Sequence, residues 1–432
     1  MKYAIYTLGC KVNQYESQAL QKELDAKGYE QGRFDEVCDF YIVNTCTVTA
    51  VSDKKSRNLL RRARKLSPQA VIGVCGCYAQ VSPEEVSRLD VDVIGGTGQR
   101  GQFISRMEQF YQDRQKSILV DNALRRREFE VLEPGGLSER TRAMLKVEDG
   151  CVNFCSYCII PYARGAIRSL PLETTVEQAK RLRDQGYLEV VVTGIEISSW
   201  GMDLKNGQKP QDLILAICRA VPEMRVRLGS LEPRTVDEDF CEKLKDEKNL
   251  CPQFHLSLQS GCDETLKRMR RKYDTGRYLE SCNLLRQYFP NCAITTDLIV
   301  GFPQETEEEF QKTLSFLREA NFSGIHIFPY SRRTGTPAAE MSGQILQAEK
   351  ERRAARAAAV EEELRQAYGE SFVGKTLEVL FEQTNQEGRW TGHAPNYLLV
   401  EAEGNDLGNV LKTVEITGIT PEGLIGVIKE EG

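Results

Sequence analysis

Residues 150–158 read Gly-Cys-Val-Asn-Phe-Cys-Ser-Tyr-Cys and set Cys151, Cys155 and Cys158 in the pattern C-x3-C-x2-C. The stretch follows residues 143–147, which predict the first strand of a βα series. A loop at that position lies on the rim of a barrel, where βα loops build active sites. Three thiolates at this spacing can hold an iron-sulfur cube and leave one iron free for a small-molecule ligand. The alternative, a structural zinc site, lacks a fourth Cys or His nearby.

Strand and helix patterns alternate after this loop. Apolar, β-branched runs predict strands near 143–147, 189–193, 224–228, 254–257, 293–298 and 324–327. Helical patterns lie near 173–186, 211–220, 237–246, 275–288 and 305–320. Six βα steps predict a partial (βα)6 barrel, which we assign to a central domain at 137–368.

The N-terminal part shows the same alternation and predicts an α/β domain with a parallel sheet at 1–122. Its strands are expected at 3–8, 40–44, 70–75, 91–94 and 117–120. Its first helices are expected at 14–27 and 52–66, the second capped by Ser52 and Asp53. A polar, Arg-rich stretch from Leu124 to Thr141 predicts a linker between the two domains.

The pattern changes after the central series. Residues 346–367 are rich in Ala, Glu and Arg and predict one long helix, interpreted as a solvated connector. Beyond Gly369 the period becomes two, with runs at 372–381, 388–392, 397–402, 409–418 and 423–428. These runs predict a small antiparallel β-barrel at 370–432, of a type that often binds oligonucleotides.

Composition limits the range of functions. The chain has 432 residues, 41% of them hydrophobic, and a net charge of −6, which predicts globular domains without a bulk positive charge. No apolar run approaches a membrane span and no secretory pattern is present, so we expect a cytoplasmic protein without membrane contact. Fourteen cysteines in a reducing compartment indicate metal ligands instead of disulfides. The chain has only three histidines, which disfavours zinc sites with histidine ligands and catalytic pairs of a nucleophile and a histidine.

Cys10, Cys46 and Cys77 form a second trio, although they lie far apart in sequence. Each follows one of the first three predicted strands, and right-handed βαβ crossovers bring those strand ends to one edge of the sheet. Three thiols at that edge can hold another cluster with an open iron. The alternative is three buried cysteines that pack as small hydrophobes. Cys75 is a rival to Cys77, which we prefer because it lies beyond the strand.

Residues 96–101 read Gly-Thr-Gly-Gln-Arg-Gly and match G-x-G-x-x-G, with Asp121 at the end of the next strand. This is formally a dinucleotide-binding fingerprint. It follows the fourth strand, however, and not the first βα turn, where that fingerprint usually lies. A plain glycine-rich turn is the other interpretation, and we favour it.

Basic residues form three runs on this acidic chain. One such run usually marks a solvated helix face. Three runs beside an oligonucleotide-binding barrel favour a surface that follows RNA phosphates, since the unstacked loop bases of RNA can enter an active site. The runs are Lys54, Lys55, Arg57, Arg61, Arg62, Arg64 and Lys65; Arg125 to Arg127; and Lys267, Arg268, Arg270, Arg271, Lys272 and Arg277.

The 150–158 loop resembles the cluster loop of the radical S-adenosylmethionine superfamily, including the aromatic residue before the last cysteine. The resemblance implies that the open iron binds S-adenosylmethionine. It extends to residues 193–196 (Thr-Gly-Ile-Glu) and to 297–305, which is similar to the superfamily's adenine contact. The cofactor contacts that it implies are Tyr157, Thr193, Gly194, Glu196 and Gly301.

With both trios, the resemblance narrows to the methylthiotransferases and covers nearly the whole chain. Residues 7–17, 44–48 and 76–80 are similar to that family's three N-terminal motifs, and the C-terminal barrel resembles its RNA-binding TRAM domain. Lys-Val-Asn-Gln-Tyr-Glu after Cys10 is similar to the branch that acts on N6-threonylcarbamoyladenosine at position 37 of tRNA. The branches for isopentenyladenosine and for a ribosomal-protein aspartate usually read differently there, and they are the alternatives.

The resemblance implies two [4Fe-4S] clusters, one on each trio, with S-adenosylmethionine as cosubstrate. The central cluster would generate a 5′-deoxyadenosyl radical that removes the C2 hydrogen of adenine, and the N-terminal cluster would present a methylated sulfur to it. No side chain is assigned a catalytic role, since the clusters carry the chemistry. Expected partners are the anticodon loop of tRNA and an electron donor protein. More distant alternatives are an NAD-dependent iron-sulfur oxidoreductase and a non-catalytic RNA-binding protein.

Overall fold

The N-terminal unit is a parallel sheet with helices on both faces. The computed structural model describes residues 1–133 and 141–429. In chain order the first elements are β1 (Lys2–Thr7), α1 (Lys11–Ala26), β2 (Glu30–Gln31), β3 (Phe40–Thr45), α2 (Ala50–Leu66), β4 (Val71–Gly76), α3 (Cys77–Val81), α4 (Pro83–Ser87), β5 (Val93–Gly95), α5 (Arg100–Asp113) and β6 (Ser117–Leu119). The strand order is β2-β1-β3-β4-β5-β6, and every pairing is parallel.

The two central strands are buried along their whole length. All six residues of β3 and all six of β4 are buried, as expected for parallel strands that helices cover on both faces. The helix α2 begins earlier than the sequence predicts. Its N-cap is Thr49, whose hydroxyl accepts a hydrogen bond from the Ser52 amide, so the prediction of Ser52 and Asp53 as the cap is wrong.

The central unit is a partial barrel, as predicted. Its elements are β7 (Arg142–Lys146), β8 (Glu148–Asp149), α6 (Ile160–Arg164), β9 (Arg168–Ser169), α7 (Leu172–Asp184), β10 (Glu189–Thr193), α8 (Pro210–Ala220), β11 (Arg225–Leu228), β12 (Ser230–Leu231), α9 (Glu238–Leu244), β13 (Gln253–Leu256), α10 (Asp263–Arg268), α11 (Thr275–Tyr288), β14 (Ala293–Val300), α12 (Glu307–Ala320) and β15 (Gly324–Pro329). The parallel strands run β7-β10-β11 and then β12-β13-β14-β15. In the described residues β7 and β15 are unpaired edges, so the barrel is open.

Two further helices, α13 (Pro337–Glu340) and α14 (Gln347–Glu370), follow β15. The interpretation of α14 as a solvated connector is wrong. One face of the helix, including Ala357, Val360 and Leu364, is buried against β14, β15 and α12. The apolar residues on this face are spread thinly among charged ones, so the sequence pattern conceals it.

The C-terminal unit is a closed barrel of β16 (Thr376–Thr384), β17 (Trp390–His393), β18 (Leu399–Ala402), β19 (Val410–Ile419) and β20 (Leu424–Ile428). The strands close in the order β16-β17-β18-β20-β19. Four pairings are antiparallel, whereas β18 and β20 pair in parallel. The predicted fold class, a parallel sheet, a partial barrel and a small β-barrel, is confirmed.

Three predictions reach beyond the described residues, and one of them is the central domain predicted at 137–368, which includes residues 137–140. The linker predicted from Leu124 to Thr141 includes residues 134–140, and the predicted C-terminal domain includes residues 430–432, all of which lie outside the described part. Within the described ranges, no helix has the length and apolar character needed to cross a membrane.

Candidate functional site

The loop between β8 and α6 carries the first thiol trio. Gly150 has φ +98°, and a Cβ there would lie 2.0 Å from the Ala166 carbonyl oxygen, so the tight entry to the loop requires glycine. The Cys151 amide donates to the Gly165 carbonyl at 3.0 Å, and the Cys158 amide donates to the Cys155 carbonyl at 3.0 Å. These bonds fold the loop so that its three thiols interact.

Burial disfavours the thiolate form of Cys151 and of Cys158. It raises the pKa of Cys151 and of Cys158 to about 12, and the charges of the neighbouring cysteines add to the shift at both positions. The Arg271 guanidinium donates to the Cys155 sulfur at 3.2 Å. Because iron binds thiolates, this cation favours the ligating form of the trio.

The second trio comes together at the carboxyl edge of the N-terminal sheet, as predicted. Cys10 caps α1, Cys46 follows β3, and Cys77 is the first residue of α3. Gly9 has φ +100°, and a Cβ there would lie 2.7 Å from the Cβ of Cys46, so glycine lets the two loops touch. Burial, together with the charges of Cys46 and Cys10, raises the pKa of Cys77 to about 12.

Cys75 lies on the other face of β4. It is fully buried in an apolar cluster with Phe103 and Ile104 of α5, away from the three thiols. The strand ends at Gly76, which has φ +97°, and Cys77 begins α3, so the chain turns between the two cysteines and leaves Cys75 in the sheet.

The donor sets fit iron-sulfur cubes better than single ions. Among residues 1–133 and 141–429, no three His, Cys, Asp or Glu side chains are arranged to hold one metal ion. Each thiolate of a cube binds a different iron, so cluster ligands stand farther apart than the ligands of one ion. Each trio also has a guanidinium nearby, Arg271 beside Cys155 and Arg164 near Cys77.

Both trios open onto cavities that share walls. The larger cavity, of about 900 Å³, is lined by Cys10 and Lys11 of the N-terminal unit, by strand ends of the central unit and by Tyr397 of the small barrel. The smaller, of about 260 Å³, is lined mainly by apolar side chains next to Cys158. Asp297 and Phe328 line both cavities. The two cavities are therefore neighbours with Asp297 and Phe328 as their common wall, and we call the pair the chamber; residues of all three structural units line it.

The loop after Cys46 is fixed against the end of β15. The Ala50 amide donates to the Ser331 hydroxyl at 3.1 Å, and Arg333 pairs with Asp53 at 2.7 Å. Val48 and Thr49 consequently line the smaller cavity opposite Tyr157 and Cys158. This contact brings the second trio's loop to the edge of the first trio's cavity.

Most of the predicted cofactor contacts line this chamber. Thr193 and Gly194 line the larger cavity and Tyr157 the smaller one. The Glu196 amide donates to Glu148 at 2.7 Å, and burial raises the pKa of the Glu196 carboxyl to about 7. Neither Glu196 nor Gly301 is among the residues that line the two cavities, and Gly301 has its own close contacts. Its amide already donates to Glu305 at 2.7 Å, and a Cβ there would meet the Lys350 side chain at 2.4 Å.

Comparison with known proteins identifies the family. Residues 145–317 match the model of the Radical SAM superfamily, and residues 2–96 match Uncharacterized protein family UPF0004. The threonylcarbamoyladenosine tRNA methylthiotransferase MtaB of Bacillus subtilis is 40% identical over 416 residues, covering 95% of this chain and 92% of that protein. The chain belongs to the methylthiotransferase family.

Two other similarities agree with this membership. The Thermotoga maritima MtaB is 36% identical, covering 98% of this chain and 95% of that protein. The tRNA-2-methylthio-N(6)-dimethylallyladenosine synthase of Desulforamulus reducens is 33% identical, covering 100% and 96%. The radical S-adenosylmethionine methyltransferase TsrM of Kitasatospora setae superposes with a TM-score of 0.57 at 16% identity, covering 78% of this chain and 77% of that one, which shows a shared fold.

The glycine-rich turn of this methylthiotransferase is occupied by protein. A Cβ on Gly98 would lie 2.9 Å from the guanidinium carbon of Arg126, whose side chain covers the turn. Arg126 also pairs with Asp121 and donates to Thr97 at 2.7 Å. The acidic residue that would bind a ribose is therefore already paired, and the structure favours the plain-turn interpretation.

The basic runs divide into exposed and engaged residues. On α2, Lys54, Arg61 and Arg62 are exposed, as a phosphate-following surface requires. In the third run, Arg268 and Arg271 are partly exposed and already have protein partners, Glu309 at 2.5 Å for Arg268 and Cys155 for Arg271. The phosphate-following surface stays a prediction, and the exposed residues of α2 are better candidates for it than these two.

Sequence reasoning missed a group of charges at the seam between the N-terminal and central units. Glu16 of α1 pairs with Arg100 at 2.5 Å and Lys146 at 3.0 Å, and it also pairs with Arg164. A fully buried charge is rare unless it is paired, but its partner is invisible in sequence when the two lie 148 positions apart, as Glu16 and Arg164 do.

Proposed function

We propose that this chain adds a methylthio group to C2 of N6-threonylcarbamoyladenosine at position 37 of tRNA. The observation that carries the proposal is the chamber, onto which Cys10 and Cys158 of the two trios both open. Relatives named threonylcarbamoyladenosine tRNA methylthiotransferase, 33–40% identical over nearly the whole chain, support this substrate.

The cofactors of this proposal are two [4Fe-4S] clusters and S-adenosylmethionine. Cys151, Cys155 and Cys158 would hold one cluster, and Cys10, Cys46 and Cys77 the other. When bound and reduced, the first cluster with S-adenosylmethionine supplies a carbon radical. Such chemistry suits adenine C2, because its hydrogen is neither acidic nor on a leaving carbon and acid-base catalysis has no route to replace it.

The chain's own residues bind, orient and exclude water. Glu196, when ionised, would accept from the amino group of S-adenosylmethionine. The apolar smaller cavity, with Tyr157 and Ile299 in its walls, would hold the adenine of that cosubstrate. Enclosure by three structural units keeps water away from the reacting carbon.

Lys11 favours the threonylcarbamoyl substrate over an isopentenyl one. It lines the larger cavity next to Cys10, and no residue in the described ranges accepts a hydrogen bond from its ammonium. Burial, with the charges of Arg227 and Arg142, lowers the pKa of Lys11, so an anion there would be strongly favourable. The threonylcarbamoyl group carries a carboxylate, whereas an isopentenyl group is apolar.

The remaining parts of the proposal concern partners and boundaries. The units at 1–122, 137–368 and 370–432 act as cluster-binding, radical-generating and RNA-binding domains. The anticodon loop of tRNA enters the larger cavity, and the exposed lysines and arginines of α2 follow its phosphates. A separate electron donor protein reduces the clusters, and the protein works in the cytoplasm, where tRNA is modified.

Mass spectrometry of tRNA nucleosides tests the reaction and its substrate together. Cells that lack this protein should lose 2-methylthio-N6-threonylcarbamoyladenosine and accumulate its precursor, and the wild-type gene should restore the product. Loss of the isopentenyl product instead would transfer the proposal to that branch. An unchanged nucleoside profile would refute it.

Replacing one cysteine of each trio tests the division of labour. Cys155→Ala should abolish deoxyadenosine formation, because the cosubstrate loses its iron site. Cys46→Ala should leave cosubstrate cleavage but give no methylthiolated tRNA. Cys38→Ala, a buried N-terminal cysteine outside both trios, is the control and should retain both activities. Undiminished product from Cys46→Ala would contradict the assignment of the N-terminal cluster.

A further inference from the structure

The seam between the N-terminal and central units buries more positive than negative charge. Four cations and two carboxylates there are each no more than 4% exposed. Buried charges are stable only when they are paired, so the surplus of cations needs an explanation. The six residues are Glu16, Asp149, Arg100, Lys146, Arg164 and Arg168.

Neighbouring acids do not remove the surplus. Glu130, which is half-buried, accepts from the Arg100 amide at 2.5 Å and contributes a third negative charge. Glu148 is fully buried and accepts from the Glu196 amide at 2.7 Å, no ion pair joins it to the four cations in the described residues, and burial raises its pKa well above the ordinary range. Asp121 is already paired with Arg126. One positive charge stays unmatched among the described residues.

Two of the four cations have a free Nε donor, Arg100 and Arg164, and Arg164 is the one on the helix that packs against α3. One end of its guanidinium donates to Glu16, and Nη2 also donates to Asn13 at 2.7 Å. Its Nε is buried and has no hydrogen-bond partner in the part of the chain that the structure describes. A buried donor without a partner costs about 1–3 kcal/mol. Because the Arg164 side chain is fully buried, bulk water does not supply the missing partner.

The Cys77 trio lies close enough to supply the missing acceptor, because Arg164 ends α6, Cys77 begins α3 and these two helices pack together. Burial lowers the pKa of Arg164, but the charges of Cys77, Glu16 and Asp149 outweigh burial and raise it above the ordinary range. The charge of Arg164 in turn lowers the pKa of the Cys77 thiol. A cube bound by three thiolates carries net negative charge, which matches both the surplus cation and the free donor.

We infer that Arg164 is a positioning residue for the N-terminal cluster, with its Nε–H donating a hydrogen bond to that cluster at Cys77 and its charge balancing the cluster's. The inference rests on the proposed assignment of a cluster to Cys10, Cys46 and Cys77. Arg164 ends α6, which begins two residues after Cys158. One short helix therefore sets the distance between the two trios.

The reduction potential of the N-terminal cluster tests this. A full-length chain with Cys151→Ala, Cys155→Ala and Cys158→Ala retains only that cluster, and EPR-monitored redox titration gives its midpoint. Adding Arg164→Met should lower the midpoint by at least about 59 mV, a tenfold change in the one-electron equilibrium. The reason is that the reduced cluster carries more negative charge than the oxidised one. Removal of the cation therefore costs the reduced form more electrostatic stabilisation. Arg164→Lys should give a smaller shift.

Arg168→Met is the matched control. It removes a buried guanidinium from the same network, but this guanidinium is not the one near Cys77. It should shift the midpoint less than Arg164→Met does. Equal shifts in the two variants, or no shift in Arg164→Met, would overturn the inference while leaving the cluster assignment intact. A background chain that binds no iron, instead of about four irons, would overturn both.

A second measurement does not depend on whether Arg164→Met folds. In the unsubstituted chain labelled with ¹⁵N at arginine Nε, pulsed EPR of the reduced N-terminal cluster should show coupling to one ¹⁵N nucleus. The coupling should vanish in Arg164→Lys and persist in Arg168→Lys. Its absence from the unsubstituted chain would refute the hydrogen bond.

Discussion

At the scale of single residues, a positively charged side chain lies beside each thiol trio and another lines the larger cavity. Arg271 lies at Cys155, Arg164 near Cys77, and Lys11 faces the larger cavity. Two of these three have close protein partners, and Lys11 has none among the described residues. Under the proposed function, the anions expected beside these cations are thiolate clusters and a carboxylate, in contrast to the phosphates that a basic run usually indicates.

Glu196 gives cosubstrate binding a pH dependence. Its carboxyl has a pKa raised to about 7 by burial, so it is protonated below that pH and cannot attract an ammonium group. Affinity for S-adenosylmethionine should therefore fall about tenfold from pH 8 to pH 6, measured by anaerobic equilibrium dialysis. Glu196→Gln should bind weakly at both pH values. The same pH slope in Glu196→Gln would show that another group titrates.

Lys11 should determine the preference for the modified base. Lys11→Met should weaken binding of an anticodon stem-loop with threonylcarbamoyladenosine about tenfold, or about 1.4 kcal/mol, and leave one with unmodified adenosine unchanged. Fluorescence anisotropy measures both. Lys54→Met, on the exposed face of α2, is the control and should weaken the two RNAs alike. Equal weakening by Lys11→Met would indicate a phosphate contact instead.

At the scale of elements, short segments carry the site and long ones support it. The five-residue helix α6 joins the two trios, while α14, of 24 residues, packs behind β14 and β15. Gly165 ends α6 with φ +83°, and a Cβ there would lie 1.9 Å from the Ala123 carbonyl oxygen. The end of this helix is thus pressed against the segment that leaves the N-terminal unit.

Gly165→Ala should displace α6 and both trios. We expect loss of unfolding free energy of more than about 3 kcal/mol and a fall in iron content, from backbone strain and the carbonyl clash together. Thermal unfolding and iron analysis measure these effects. Gly186→Ala is a matched control, since Gly186 also has positive φ but nothing within 4 Å of its Cβ position. Equal losses in both variants would mean that the close approach is unimportant.

The sequence predicts elements whose signal is local and misses those whose role depends on distant partners. The two trios and six barrel strands follow from spacing and periodicity, and topology alone brings Cys10, Cys46 and Cys77 together. The helix α5 was not anticipated, because its glycine-rich start resembles a nucleotide-binding turn. Arg271 looked like part of a solvated run, since only the fold shows that it turns inward to Cys155.

At the scale of the molecule, the small barrel is docked on the central unit by arginines. Arg225 pairs with Glu378 at 2.8 Å, and Arg227 donates to the Pro395 carbonyl at 2.8 Å. Tyr397 lies with its ring 4.8 Å from the guanidinium of Arg227 and stacks on His393 at 4.6 Å. The residue thus joins the barrel to the rim of the larger cavity.

Tyr397→Ala should loosen this docking. Loss of the ring's contacts with Arg227 and Arg142 removes about 1–2 kcal/mol and should speed proteolysis after α14 about tenfold. Limited proteolysis measures the rate, and tRNA affinity should fall in parallel. Val427→Ala, an exposed barrel position, is the control and should leave both unchanged. Unchanged proteolysis in Tyr397→Ala would indicate that the arginine hydrogen bonds suffice.

The residues that line the larger cavity are synthesised in a fixed order. The ribosome makes the chain from its N-terminus, so residues of the Cys10 loop emerge first and those that line the cavity from the small barrel, such as Tyr397 and Leu424, emerge last. A chain released before its final strands would hold all six cysteines of the two trios, but its larger cavity would lack the wall that the small barrel supplies. Completion of translation thereby becomes the step that closes the chamber.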